Sequence, residues 1–248
     1  MISAEFLKLR RRRALFWWSL VLTSGVVIAA YTTMLILHAS DAVKYGPAGG
    51  LSNYGDLVQA LTAFCGVASI MIGATAGGGD LGAGVFRDMA STGRSRFSLF
   101  LVRVPGALLL QLPLVLGAFA LATIGAFAFA AGTPTPDAGL VVHYGVWLLA
   151  GAILDLVLGI ALASLIGSRA TTVGILLAWE AIAVHILAHL SFLGGVRDVL
   201  NSTALDQLRP GGGQEILSMP LAAAVVVLIG WVVVALAAGA WRTHTIDA

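Results

Sequence analysis

Residues 141–167 read VVHYGVWLLAGAILDLVLGIALASLIG, a run broken by one charged side chain, Asp155. About 20 apolar residues in helical form cross a ~30 Å hydrocarbon layer, so the run is long enough to span a membrane. A strand of a membrane barrel changes character at every second residue, and this run does not. Gly151, Asp155, Gly159, Ala163 and Gly167 recur at every fourth position and share one helix face. Such a ridge of small residues lets a second helix approach closely. The run reads as a packed transmembrane helix with an acid on its packed side.

Five other stretches have the same character, at about 14–37, 57–77, 104–131, 171–192 and 219–241. The whole composition agrees with them. The 248 residues are 59% hydrophobic and only 10% charged, with mean hydropathy +0.96. A soluble domain carries about 25% charged residues, so the chain is neither a soluble enzyme nor a disordered polymer. Thirty glycines fit membrane helices, where glycine is tolerated. The single cysteine, Cys65, excludes a disulfide within the chain and a cysteine-based zinc cluster. Breaks fall at Gly46-Pro47, Gly77 to Gly79, Gly132 to Pro136 and Pro210 to Gly213, and leave no room for a large soluble domain. The first stretch is too long for a signal-peptide core and is read as retained. The expected fold is an all-α polytopic membrane protein, with residues 1–248 as a single transmembrane domain of six helices.

Six crossings place both termini on one side, and eleven of the fourteen Lys and Arg residues then share that side. Only Lys44, Arg197 and Arg209 fall opposite. Cytoplasmic loops hold the excess of basic residues, so both termini are expected in the cytoplasm. Arg10 to Arg13 precede Leu15-Phe16-Trp17-Trp18, the arrangement of a headgroup anchor rather than a nucleic-acid site. Ile2, Phe6 and Leu9 lie on one side of a helix whose other side is basic, which predicts a helix lying in the interface before the first span.

Several motifs dissolve on inspection. Gly77-x-Gly79-x-x-Gly82 matches the dinucleotide fingerprint, but a membrane helix precedes it instead of a strand. Neither Lys8 nor Lys44 follows a glycine, so the chain has no phosphate-binding P-loop. His185 and His189 have metal-ligand spacing, yet Glu180 lies about 140° and 180° round the helix from them. The pair is therefore read as hydrogen-bonding, with no metal site. Asn201-Ser202-Thr203 is a glycosylation sequon, but nothing in the composition favours a eukaryotic host. Asp155 and Glu180 are different in kind. Each sits near the middle of a span, where a charge costs about 2.5–3.5 kcal/mol, so each either pairs with a polar group inside the protein or marks a substrate or proton path. Cys65, Ser69, Gly73 and Gly77 form a second small-residue ridge, read as packing.

The segment after the second span runs Asp80-Leu-Gly-Ala-Gly84-Val-Phe-Arg87, then Gly93-Arg94-Ser95-Arg96, with Arg103 seven residues further on. This order resembles the permease subunit of the type-2 ATP-binding-cassette exporters. In that family an acidic residue precedes Gly-Thr-Leu-Arg, then come Pro-x-Ser-Arg and a basic residue seven further on. The departures are Asp80 for Glu, Val85 for Thr and Gly93 for Pro. The opening around Glu5, Phe6, Lys8 and Arg10 resembles the family's interfacial helix, Trp241 to Asp247 its terminal tail, and Gly194 to Met219 its short outer helices. The resemblance implies a homodimer or heterodimer of permeases with two separate cytoplasmic ATPase subunits. It implies that Asp80, Gly84, Arg87, Arg94, Arg96 and Arg103 couple nucleotide-driven movement to the helices. ATP and magnesium would then bind the ATPase, with no cofactor and no catalysis on this chain.

The expected function is export of a hydrophobic or amphiphilic substrate such as a drug, peptide antibiotic or lipid, in a bacterial cell membrane. Glu180 and Asp155 are the candidate translocation-path residues. The alternative is a proton-coupled secondary transporter using those same acids, although no internal repeat is visible. A membrane scaffold is the third possibility.

Overall fold

In lipid an apolar segment satisfies its own backbone hydrogen bonds, which selects the helix. The computed structural model describes residues 1–82, 95–211 and 219–245, and all regular structure among the described residues is helical. A short helix α1 (Ile2–Arg10) leads to α2 (Arg13–Leu20), a π turn (Val21–Gly25) and α3 (Val26–Ser40). There follow α4 (Leu51–Gly82), α5 (Arg96–Leu101), α6 (Arg103–Ala128) and α7 (Ala138–Ile166). Next come α8 (Arg169–Ala178), a second π turn (Trp179–Ala183) and α9 (Val184–His189). A 3-10 segment (Ser191–Val199), α10 (Asn201–Gln207) and α11 (Leu221–Thr245) complete the order.

Among the described residues five helical paths are long and apolar enough to cross a membrane: Arg13–Ser40, Leu51–Gly79, Phe97–Ala128, Ala138–Ile166 and Leu221–Thr245. They overlap five of the six expected spans. The stretch expected at 171–192 is not among them. It runs as α8, the π turn and α9, and the side chains of His185, Ala188 and His189 within it lie outside the description. The wide turn falls at Trp179 and Glu180, so the helix changes its winding where its acid sits.

Local chemistry explains the helix ends. Asp137 caps α7 by accepting from Leu140 N at 2.9 Å, and Gly167 ends it with φ 76°. Only glycine adopts that left-handed conformation freely, so the chain reverses there into Ser168, whose hydroxyl caps α8. Pro113 lies inside α6, where it removes one rung of the ladder without ending the helix.

The core is the pair α4 and α7. Gly73 lies against the Leu156 carbonyl and Gly77 against the Ile160 carbonyl, while a Cβ on Gly159 would stand 3.0 Å from the Ile70 oxygen. Both small-residue ridges read from the sequence thus meet each other. Backbones this close leave no room for side chains, and dispersion between them holds the pair. Gln111 of α6, 1% exposed, ties the pair to a third helix: its amide donates to Ser69 Oγ and, at 3.1 Å, to Ala152 O. Tyr31 of α3 packs its ring on Gly125 and donates to Ala122 O at 2.6 Å. At this end of the bundle Gly49 N and Gly50 N donate to Phe129 O and Ala126 O. At the other end α1 crosses α6, with Glu5 against Gly106 and Leu9 fully buried among Phe100, Ala107 and Ile160.

Candidate functional site

Asp155 of α7 and Glu180 of the second π turn lie on successive helical runs, and the fold brings them to one cavity of about 320 Å³. It lies between α4, α7, the second π turn and α10, with Gln59, Thr62 and Asp206 adding polar atoms to a mainly apolar wall. Gly66 makes the room, since a Cβ there would stand 2.6 Å from Asp155 Oδ2. The small-residue ridge on α4 therefore serves two purposes, close packing at Gly73 and Gly77 and clearance for a carboxylate at Gly66.

Glu180 is held by Asn201. The Asn201 amide donates to Glu180 Oε1 at 2.6 Å, and its carbonyl oxygen accepts from the Trp179 indole at 3.1 Å. Both groups of the side chain are used, which fixes the amide in one orientation. Asn201 is 2% exposed, so the sequon read from the sequence is buried in this fold. Its helix, α10, is drawn against the bundle: Leu205 packs on Gly151, and the Trp231 indole of α11 donates to Val199 O at 2.8 Å. The segment expected at about 194–218 as an outer interfacial element thus contributes a wall of the cavity, through Leu205 and Asp206. Within it Leu200 is buried, whereas Val196 and Val199 are exposed.

The residues expected to couple to an ATPase are distributed differently. Gly84, Arg87 and Arg94 lie outside the described residues. Asp80 falls in the last turns of α4 and Arg96 opens α5, but their side chains are likewise outside the description. Arg103 is 1% exposed, and its guanidinium donates to Gly77 O at 2.9 Å and Ser164 Oγ at 3.3 Å. It pins α6 to the α4–α7 pair from within. Glu5 and Lys8 form an ion pair at 2.6 Å on α1, Phe6 is half-buried against the bundle and Arg10 is exposed.

Gly77, Gly79 and Gly82 all lie within α4, so the dinucleotide-like spacing belongs to a helix end. The side chains of His185 and His189 are outside the description. Sequence reasoning missed Asn201, Asp206 and Gln59 as companions of the two acids. Their contacts are long-range, and the one local signal was an asparagine and an aspartate in a segment otherwise read as amphipathic. No family model matches the chain, and no curated protein matches it. The molecule is a multi-span helical membrane protein.

Proposed function

We propose that the chain is a transport permease, the membrane subunit of an exporter powered by a separate ATPase. The observation that carries the transport reading is the cavity shared by Asp155 and Glu180. Acids in apolar helices are costly and persist where they meet a path or a partner, and here two helices and α10 place them around one opening. The resemblance in the segment from Asp80 to Arg103 supports the coupling to ATP. In this reading α8, the π turn and α9 form a sixth crossing, and both termini lie in the cytoplasm. Asp80, Gly84, Arg87, Arg94 and Arg96 meet the ATPase. Arg103 carries its motion inward to Gly77 and Ser164. Two permeases and two ATPase subunits make the complex, ATP and magnesium stay on the ATPase, and the cargo is amphiphilic.

The proximity of the two acids also favours a second reading, a secondary transporter in which protons move through Asp155 and Glu180. One experiment separates the two. Membrane vesicles containing the chain, with and without its native cytosolic ATPase, are loaded with an amphiphilic dye and energised by ATP or by a proton gradient. ATP-dependent efflux that survives collapse of the gradient supports the exporter. Efflux that follows the gradient and ignores ATP supports the secondary transporter and overturns the first reading.

A further inference from the structure

Arg12 and Arg13 meet Arg169, far along the chain, at one place on the surface. Arg12 and Arg13 stand where the chain turns from α1 into α2, and Arg169 opens α8. Together they border a groove of about 320 Å³, and no carboxylate lines it among the described residues. Its other wall is apolar, formed by Leu15, Trp18 and Met71. Arg12 reaches across to α4, its Nη2 3.3 Å from where a Cβ on Gly79 would stand. Like charges held together repel, and an anion between them removes that repulsion. No side chain caps the first turn of α2, so its N–H groups add to the positive field on the same wall.

A small soluble anion would answer the charge alone. The apolar wall continues from Trp18 along the exposed face of α2 and α3, where Trp17, Trp18, Val21 and Ile28 are each more than half exposed. A ligand with an anionic head and hydrocarbon tails answers both halves. Guanidinium groups grip phosphate through paired N–H bonds, which a looser positive patch does not offer. We propose that this groove binds the phosphate of an anionic glycerophospholipid, with its acyl chains lying along α2 and α3. The proposal stands apart from the transport reading and survives its failure.

The test uses the full-length chain in detergent, with lipid retention read by native mass spectrometry and stability by thermal shift. Phosphatidylglycerol, phosphatidylcholine and inorganic phosphate are titrated separately. Phosphatidylglycerol is expected to be retained and to raise the melting temperature, and the other two to do neither. Arg12 and Arg169 border the groove and can bond directly to the phosphate, so Arg12→Gln with Arg169→Gln should weaken retention about tenfold or more. Arg11→Gln with Arg242→Gln removes the same charge elsewhere on that side and should leave retention within about twofold. If the Gln pair does not fold, Arg12→Lys with Arg169→Lys keeps the charge and should still weaken retention measurably. Equal loss in both Gln pairs overturns the proposal in favour of bulk charge. Stabilisation by inorganic phosphate as strong as by the lipid makes the groove a small-anion site and also overturns it. So does unchanged lipid retention in the Arg12 and Arg169 variants accompanied by loss of an acidic protein partner.

Discussion

At the scale of single residues, Glu180, Asn201 and Arg103 carry the clearest consequences. Asn201 spends its amide on Glu180 Oε1 and its carbonyl on the Trp179 indole. Glu180→Gln keeps the shape and removes the acid. Because the Gln oxygen can still accept from Asn201, expression and melting temperature should stay near wild type, while loss of the acid from the proposed path should lower transport about tenfold. Full transport by a well-expressed Gln variant ends the path assignment for this acid. Arg103 makes a different prediction because it is buried and bonded to two helices at once. Arg103→Lys preserves the charge on which topology depends, yet a single ammonium does not reproduce the planar fork. The variant should insert normally and lose about 1–3 kcal/mol of stability, seen as a lower melting temperature. An unchanged melting temperature would mean that the contacts to Gly77 and Ser164 contribute nothing.

At the scale of helices, much of the arrangement could be read from the chain, and the reason is that packing in lipid leaves a periodic mark. Every fourth residue along 65–77 and 151–167 is small or polar, and these two faces meet in α4 and α7. Gly73→Val should therefore destabilise by about 1–3 kcal/mol, since its Cβ would enter the Leu156 backbone. Gly174→Ala meets nothing within 4 Å and should cost no stability, so the pair of melting curves separates packing from helix propensity. What could not be read is as physical. A π turn leaves no periodic signature, so the change of winding at Trp179 and Glu180 was invisible, as was the reach of Asn201 from a later segment. Arg103 was read only from its order in a motif, as one of the residues that couple movement to the helices. Its burial depends on Gly77 and Ser164, which lie 26 and 61 residues away. The segment from Asp80 to Arg103, which the proposed exporter uses for coupling, carries its own test. Replacing Arg94 and Arg96 by Lys preserves summed charge and insertion but removes bidentate pairing, so ATPase binding or substrate-stimulated hydrolysis should fall. Unimpaired hydrolysis and transport in those variants would remove this segment from coupling.

At the scale of the whole molecule, the number of crossings decides everything about sidedness. Five long helices alone would put the termini on opposite sides, and six put them together. The disputed stretch is helical from Arg169 to His189 through one π turn, a path of about 30 Å at 1.5 Å per residue, which matches the hydrocarbon layer. Its start lies beside Arg12 and Arg13 in the basic groove. The end of α6 and the start of α4 meet at Gly49, Gly50 and Phe129, toward the opposite end of the bundle. Charge agrees with six, since that number gathers eleven of fourteen basic residues on one side. Single cysteines, introduced after Cys65 is replaced by serine, decide the matter with a membrane-impermeant thiol reagent on intact cells. Cysteines at Lys44 and Arg209 should react from outside, whereas those at Arg11, Arg169 and Arg242 should react only after the membrane is opened. If the cysteine at Arg242 is labelled on intact cells and the one at Arg11 is not, the chain crosses an odd number of times. The terminal tail would then lie away from any cytoplasmic ATPase, and the six-crossing exporter would have to be abandoned, while the packing of α4 on α7 and the pairing of Glu180 with Asn201 would stand unchanged.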